Sequence, residues 1–291
     1  MSIVIGTNKS SLQAANYLSA NQTQLSNTLS ALSSGSRLTN PSTDSGGLAV
    51  SMQLTATANR DSALINTIAN AQSFLQTQNG ALQVATSIVD RISQLVTMSK
   101  DVTLTTTNTS NYNTEFSQLQ QELTTIIGAQ YNGIGLFTNT TTSGTLSVLS
   151  TNDLSTNNAI SIVQMNLGST TTGVGSIGVL ASSTVNSGSS GGVTGYSSLT
   201  SITSSEITSF VNTIATFAAT NGAEQSRLNF ASQLATNDRT SLQSANSSIS
   251  DTDIAQATTA LAKWNVLVQA GTSMLTQANN SAQTVLKLIT G

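Results

Sequence analysis

Apolar residues near the N-terminus recur at alternating steps of three and four. Over residues 11–32, Ser11, Ala15, Leu18, Gln22, Leu25, Leu29 and Leu32 fall on one stripe with mainly polar residues between them. That spacing places side chains on one face of an α-helix. Gly35 in "SSGSR" supplies a stop, and Asn40 and Pro41 follow. The proline, the only one in the chain, pushes the residue before it out of the helical region. Ser42, Thr43 or Asp44 is then available to cap a new helix.

The second stripe is the longest. Val50, Leu54, Thr57, Asp61, Leu64, Ile68, Ala71, Leu75, Gln78, Leu82, Ala85, Val89, Ile92 and Val96 keep the same spacing, and eleven of the fourteen are apolar. The pattern predicts a helix from about residue 46 to 99, about 80 Å long at 1.5 Å per residue. Gly80 sits inside it at a cost of roughly 1 kcal/mol relative to Ala. A third helix fits Phe116, Leu119, Leu123 and Ile126 and closes at Gly128.

The period changes between residues 134 and 200. "GTLSVLST" and "NAISIVQMNLG" alternate and carry β-branched residues, which predicts two or more strands in a hairpin. "SSTVNSGSSGGVTGYSS" reads as a Gly/Ser loop. Helical spacing returns with Ile207, Phe210, Val211, Ile214 and Phe217, and resumes after "NGAEQ" with Leu228, Leu234 and Leu242. The last stretch is the cleanest. Ile254, Leu261, Val268, Leu275, Ala282 and Ile289 repeat every seven residues, with Ala257, Trp264, Gly271, Ala278 and Val285 three residues later. A second stripe, Ala260, Leu267, Met274 and Leu288, widens the apolar face, and a face that wide needs more than one partner helix.

The fold class is therefore mainly α. Long terminal coiled-coil helices flank an α-helical bundle with a small central β-hairpin element. The expected segments are residues 1–44, a terminal helix and its irregular exit; 45–133 and 201–253, the two parts of the bundle; 134–200, the hairpin and loop region; and 254–291, the C-terminal coil. Pairing the two terminal helices is the economical way to cover both seams.

Composition removes most chemistry. Only 7% of the 291 residues are charged and the net charge is −3, against the clustered Lys and Arg that nucleic acid requires. With no His and no Cys there is no imidazole base, no disulfide and no Cys/His metal cage. No apolar run reaches the ~18 residues of a membrane-spanning helix, so no membrane insertion is expected. The N-terminus "MSIVIGTNKSSLQ" lacks a signal-peptide pattern. "GVGSIG" (173–178) fits a nucleotide-loop spacing but has no acidic residue suitably downstream. "GSSGG" (188–192) fits a hydrolase elbow around Ser190, yet without His the usual triad cannot form. No enzyme, cofactor or metal is expected. Asp251 and Asp253 are expected to cap the helix that follows them. Asn108 opens a sequon, and the Ser/Thr-rich stretches 139–157 and 182–201 are candidate O-glycan carriers.

Five stretches, in order, resemble bacterial flagellin. "LSSGSRLTNPSTDSGGLAV" (32–50) is similar to that family's Leu-Ser-Ser-Gly-x-Arg stretch. "AQYNGIGLF" (129–137) resembles its Thr-Gln-Phe-Asn-Gly motif. "NGAEQSRLNF" (221–230) resembles Gly-Ala-x-Gln-Asn-Arg-Leu, and "SSISDTDIA" (247–255) resembles Ser-Arg-Ile-x-Asp-x-Asp. "VQAGTSMLTQAN" (268–279) is similar to Gln-Gln-Ala-Gly-Thr-Ser-x-Leu-Ala-Gln-Ala-Asn.

The resemblance implies a filament subunit of short form, with a spoke around Gly35, Arg37, Asn40 and Pro41 between coil and bundle. It implies assembly through Leu18, Leu25, Leu29, Leu32, Ile254, Leu261, Trp264, Val268, Leu275, Val285 and Ile289. It implies a homo-polymer that also meets an export chaperone, cap and hook-junction proteins, exported without a cleaved signal peptide to the extracellular flagellum. Arg91, Leu95 and Glu115 match a family region that contacts neighbouring subunits and, in some members, the animal innate flagellin receptor. Here Ser93 and Gln94 replace the usual Arg and Glu. Two alternatives stay open: a flagellin-like hook–filament junction protein, and a coiled-coil secretion translocator or adhesin.

Overall fold

The computed structural model describes residues 8–138, 144–151, 158–167, 177–181 and 195–290, with side chains described to Thr284 except Ala282. The elements are α1 (Lys9–Ser34), α2 (Ser45–Ser99), α3 (Thr106–Ile127), β1 (Gln130–Tyr131), β2 (Ile134–Gly135), β3 (Gly144–Leu149), β4 (Ala159–Gln164) and α4 (Ile177–Ala181). A 3-10 turn (Leu199–Ser201), α5 (Ser204–Ser250) and α6 (Ile254–Thr290) complete the chain. The fold is mainly α, and the described residues include two small antiparallel hairpins. Two compact units share the chain: Met1–Ala58 with Thr240–Gly291, and Asn59–Arg239.

The second unit holds the core. Along the α2 stripe, Ile68, Leu75, Ala85, Val89 and Ile92 are each 0% exposed. They belong to one apolar cluster with Phe116 and Leu123 of α3, and Phe210, Ile214 and Leu228 of α5. The third helix closes at Gly128, as its sequence predicts, with the Gly128 N–H returned to the last turn.

Within residues 201–253 the helix is continuous where its apolar spacing is not. The spacing looks interrupted at "NGAEQ", yet α5 runs unbroken from Ser204 to Ser250. Its buried stripe is Ile207, Phe210, Ile214, Asn221, Glu224, Leu228, Ala231 and Ala235. Those residues keep helical phase throughout, but two are polar, so a count of apolar residues loses the thread. The helix opens with a capping box. The Thr203 N–H donates to Glu206 Oε2 at 2.7 Å, and the Glu206 N–H donates back to Thr203 Oγ1 at 3.3 Å.

The predicted hairpin is β3–β4, paired from Gly144↔Gln164 to Leu149↔Ala159. Ile160 and Ile162 turn into the core while Ser161 faces out. A second, tiny hairpin, β1–β2, was not expected. Asn132 and Gly133 at its turn have φ of 50° and 79°. Two left-handed residues are what a tight two-residue hairpin turn requires, and Asn-Gly is the sequence that tolerates it. In "GVGSIG" only Ile177 and Gly178 lie among the described residues, and they open the five-residue α4. Residues 182–194 of the expected Gly/Ser loop, with "GSSGG", lie outside the described residues.

Candidate assembly surface

The first unit is built from α1, the irregular segment 35–44, the start of α2, the end of α5 and α6. Asn8 Oδ1 accepts the Ser11 N–H at 3.0 Å and caps α1. Gly35 ends the helix at φ 72°, a left-handed position that costs other residues roughly 1–2 kcal/mol. The chain then runs beside the segment between α5 and α6. The Arg37 N–H donates to the Ser250 carbonyl at 2.8 Å, the Thr252 N–H donates to the Gly35 carbonyl at 2.9 Å, and Ser36 bridges to Asp251. The Arg37 side chain donates through Nε to the Ile249 carbonyl and lies 3.6 Å from Asp44.

Asn40 and Pro41 form a turn closed by the Thr43 N–H on the Asn40 carbonyl at 3.0 Å. Pro41 occupies the turn's second position, where its fixed φ is already correct. Asn40 Oδ1 accepts from both the Ser42 N–H and its hydroxyl. Of the three candidate caps, Asp44 is the one used, accepting the Gly47 N–H at 2.7 Å. A Cβ on Gly47 would fall 2.4 Å from Asp44 Oδ2 and displace the capping carboxylate. Asp253 caps α6 through the Gln256 N–H at 3.1 Å. Asp251 instead takes the bridge and accepts the Ser250 hydroxyl, so only one of the two aspartates caps.

Helices α1 and α6 pack against each other. Asn8 Nδ2 donates to the Ala278 carbonyl at 3.0 Å and the Ser11 hydroxyl to Asn279 at 2.7 Å. Gly271 admits Leu18, whose Cδ1 lies 3.2 Å from where a Cβ would stand. Yet the pair cannot cover its apolar residues. No residue of α1 is buried. Leu18, Leu25, Leu32, Leu261, Trp264, Val268 and Leu275 are half-buried. Leu29 and Ile254 are exposed at 48% and 54%, with Tyr17, Val266 and Met274 at 64–65%. Val285 and Ile289 lie where side chains are not described. An open notch of about 340 Å³ adjoins the segment after α1, lined by Gln24, Thr28, Ala31, Thr43, Gln256 and Ala260 around Arg37 and Asp253.

The three remaining candidates separate. Arg91 Nε lies 2.6 Å from Glu115 Oε1, and its Nη1 donates to Gln94 Oε1 at 3.1 Å. The hydrogen bond that Arg91 donates to Glu115, then the charge of that carboxylate, raises the Arg91 pKa further. Both side chains stay accessible. Leu95 is 0% exposed and belongs to the core, so it presents no surface to a partner. A helix stripe at heptad spacing carries its residues inward, and Leu95 lies beside Val96 on that inward face.

A buried polar network escaped the reading of the sequence. Gln78 is 0% exposed; its Nε2 donates to the Leu136 and Val163 carbonyls, and its Oε1 accepts from Asn221 Nδ2 at 2.7 Å. Asn221 also donates to the Leu75 carbonyl, and Glu224 Oε1 accepts the Val163 N–H at 3.0 Å. The available signal was polar residues in phase with an apolar stripe.

Among the described residues no group of three His, Cys, Asp or Glu could hold a metal, and no helix is long and apolar enough to cross a membrane. The family model for the bacterial flagellin N-terminal helical region matches residues 5–142, and the model for the C-terminal helical region matches residues 205–289. The chain belongs to the bacterial flagellin family. Flagellins are structural proteins rather than enzymes. This flagellin is 29% identical over 288 residues to the flagellar filament 30.7 kDa core protein of Treponema maltophilum, covering 99% of this chain and all of that one. It is 29% identical to flagellin of Listeria innocua over 98% of this chain and 99% of the relative. With flagellin A of Vibrio cholerae it shares 32% identity over 126 residues, 43% of this chain and 33% of the longer relative. Three of the flagellin-like stretches have clear places in the fold: the first holds the Gly35 stop, the Pro41 turn and the Asp44 cap, "AQYNGIGLF" spans the β1–β2 hairpin, and "NGAEQ" carries the buried network.

Proposed function

We propose that this chain is the structural subunit of a bacterial flagellar filament and polymerises by burying α1 and α6 among neighbouring copies. One observation carries the mechanism. The terminal pair leaves its heptad seams half-buried and Leu29, Ile254, Val266 and Met274 exposed at 48–65%. Each large apolar side chain taken from water contributes about 1.5–3 kcal/mol. The polar residues of α6 suit burial as well. The hydroxyls of Thr258, Ser273 and Thr276 already donate to carbonyls of their own helix, so an interface leaves them no unmet donor. A net charge of −3 keeps repulsion between copies small.

In this reading residues 1–44 and 254–291 are the assembly segments. The filament is extracellular, and the subunit reaches it by export through the flagellar channel, meeting an export chaperone, hook-junction proteins and the cap. Arg91 and Glu115 form an accessible ion pair suited to a subunit or innate-receptor contact. The full-length similarity to filament core proteins favours the filament over the junction reading.

Seeded assembly tests the proposal. Monomer is added to short filament seeds and imaged by electron microscopy. Long hollow tubes growing from the seeds are expected. Growth that stops at a short cap would replace the filament reading with the junction protein, and absence of binding would remove both.

A further inference from the structure

β3 and β4 form a two-stranded sheet, so each leaves one edge unpaired, and at Val163 of β4 two helices supply what a third strand would. Gln78 of α2 donates to the Val163 carbonyl at 3.3 Å, and Glu224 of α5 accepts its N–H at 3.0 Å. Just past the end of β4, Met165 is bridged by Phe137, and the Thr138 N–H donates to the Met165 carbonyl. The Val163 pair is thus a clamp between the hairpin and the helices. One jaw is neutral and one is a carboxyl. Glu224 is 6% exposed, and its second oxygen, Oε2, is buried with no hydrogen-bond partner.

We propose that Glu224 is a proton-operated latch on the β3–β4 hairpin: neutral, it holds Val163 to α5, and charged, it loosens that hold. The environment supports the sense of the switch. A buried charge with an unsatisfied oxygen is costly, and protonation removes the charge while Oε1 still accepts from Val163. Few charges face the site. α5 offers Arg227 one turn on, α2 carries no charged residue between Asp61 and Asp90, and the described strands of this hairpin carry none. Tyr131, from the β1–β2 hairpin, packs on Phe74 instead. Glu115 and Glu122 of α3 are surface carboxylates, the first paired with Arg91.

Burial raises the Glu224 pKa, and the Val163 hydrogen bond and the charge of Arg227 offset part of the rise. In an opened hairpin the carboxyl titrates near its ordinary value of about 4.3. Between that value and its raised folded value, the docked state keeps a proton that the opened state has lost. Docking therefore weakens as pH rises through the window and is constant above it.

Amide hydrogen exchange on the full chain, from pH 4 to 8 and corrected for intrinsic exchange, reads this at Val163. In the wild type, protection at Val163 should fall with rising pH by up to tenfold per unit, the limit for one proton. Amides of α3 in the same molecule should not follow. Glu224→Gln should give a flat Val163 profile. Arg227→Gln removes the facing cation and should move the window to higher pH, a test that survives if Glu224→Gln does not fold. A flat wild-type profile, an unchanged slope in Glu224→Gln, or a window that stays put in Arg227→Gln would each overturn the latch.

Discussion

The terminal pair and the central bundle share one sequence pattern and differ in what it buries. In α2 the three-four stripe places Ile68, Leu75, Val89 and Ile92 at 0% exposure. In α1 and α6 the same spacing leaves Leu18, Leu25, Leu261 and Leu275 half-buried. The bundle surrounds its long helix with α3, α5 and a hairpin, whereas each terminal helix has one long partner in the chain. Periodicity specifies a face; the number of neighbours decides how much of that face leaves water.

The sharpest way to break the comparison is a charge at the terminal seam. Leu275→Asp or Leu261→Asp should abolish seeded polymerisation, because an aspartate cannot be buried unpaired among neighbouring copies. The central bundle should keep its thermal transition, read by circular dichroism. Normal filaments from either variant would sink the terminal-coil mechanism. Core damage should do the reverse. Phe116, 1% exposed, should cost about 3–5 kcal/mol when changed to Ala, measured by urea unfolding. A smaller effect is expected from the polar network. Gln78→Leu deprives the Leu136 carbonyl and the Asn221 amide of a shared partner, and should cost roughly 1–3 kcal/mol in the same measurement. A neutral outcome would mean that the network repacks without it.

The smallest expected effect is in acid, at the start of α5. Burial alone would raise the Glu206 pKa. Hydrogen bonds from the Tyr196 hydroxyl, the Thr203 N–H and the Thr203 hydroxyl, with the charge of Lys100, outweigh it and lower the value. A carboxylate with a depressed folded pKa contributes stability above its unfolded pKa of about 4.3 and loses it as pH falls through the folded value. Glu206→Gln should therefore flatten part of the acid limb of the stability profile. An acid limb identical to wild type would show that the capping box does not titrate with folding. Burial, and then the same carboxylate, raise the Tyr196 pKa, so that hydroxyl stays a donor.

Much of this architecture was legible along the chain. The stop at Gly35, the turn at Pro41, the end of α3 at Gly128 and the β3–β4 strands follow from local rules that act within a few residues. Glycine reaches left-handed φ, proline fixes its own, and alternation marks a sheet face. The β1–β2 hairpin had a local signal as well, Asn132-Gly133, hidden by the short strands on either side. The unbroken course of α5 and the interior place of Leu95 were less accessible. Asn221 and Glu224 look like loop residues until the partners that satisfy them are known, and those partners lie far away in the chain, at Leu75, Gln78 and Val163.

By itself the sequence determined the helical faces, the breaks between them, the absence of His and Cys chemistry and the family. Each depends on residue identity and short spacing, where sterics and hydrogen bonding are local. Only the tertiary structure decided which faces are buried inside the chain and which are left in water. It also decided which polar residues are buried with partners, and that a single carboxyl closes on the edge of β4. Burial is a property of everything that surrounds a residue, and no spacing rule counts neighbours that are distant in sequence.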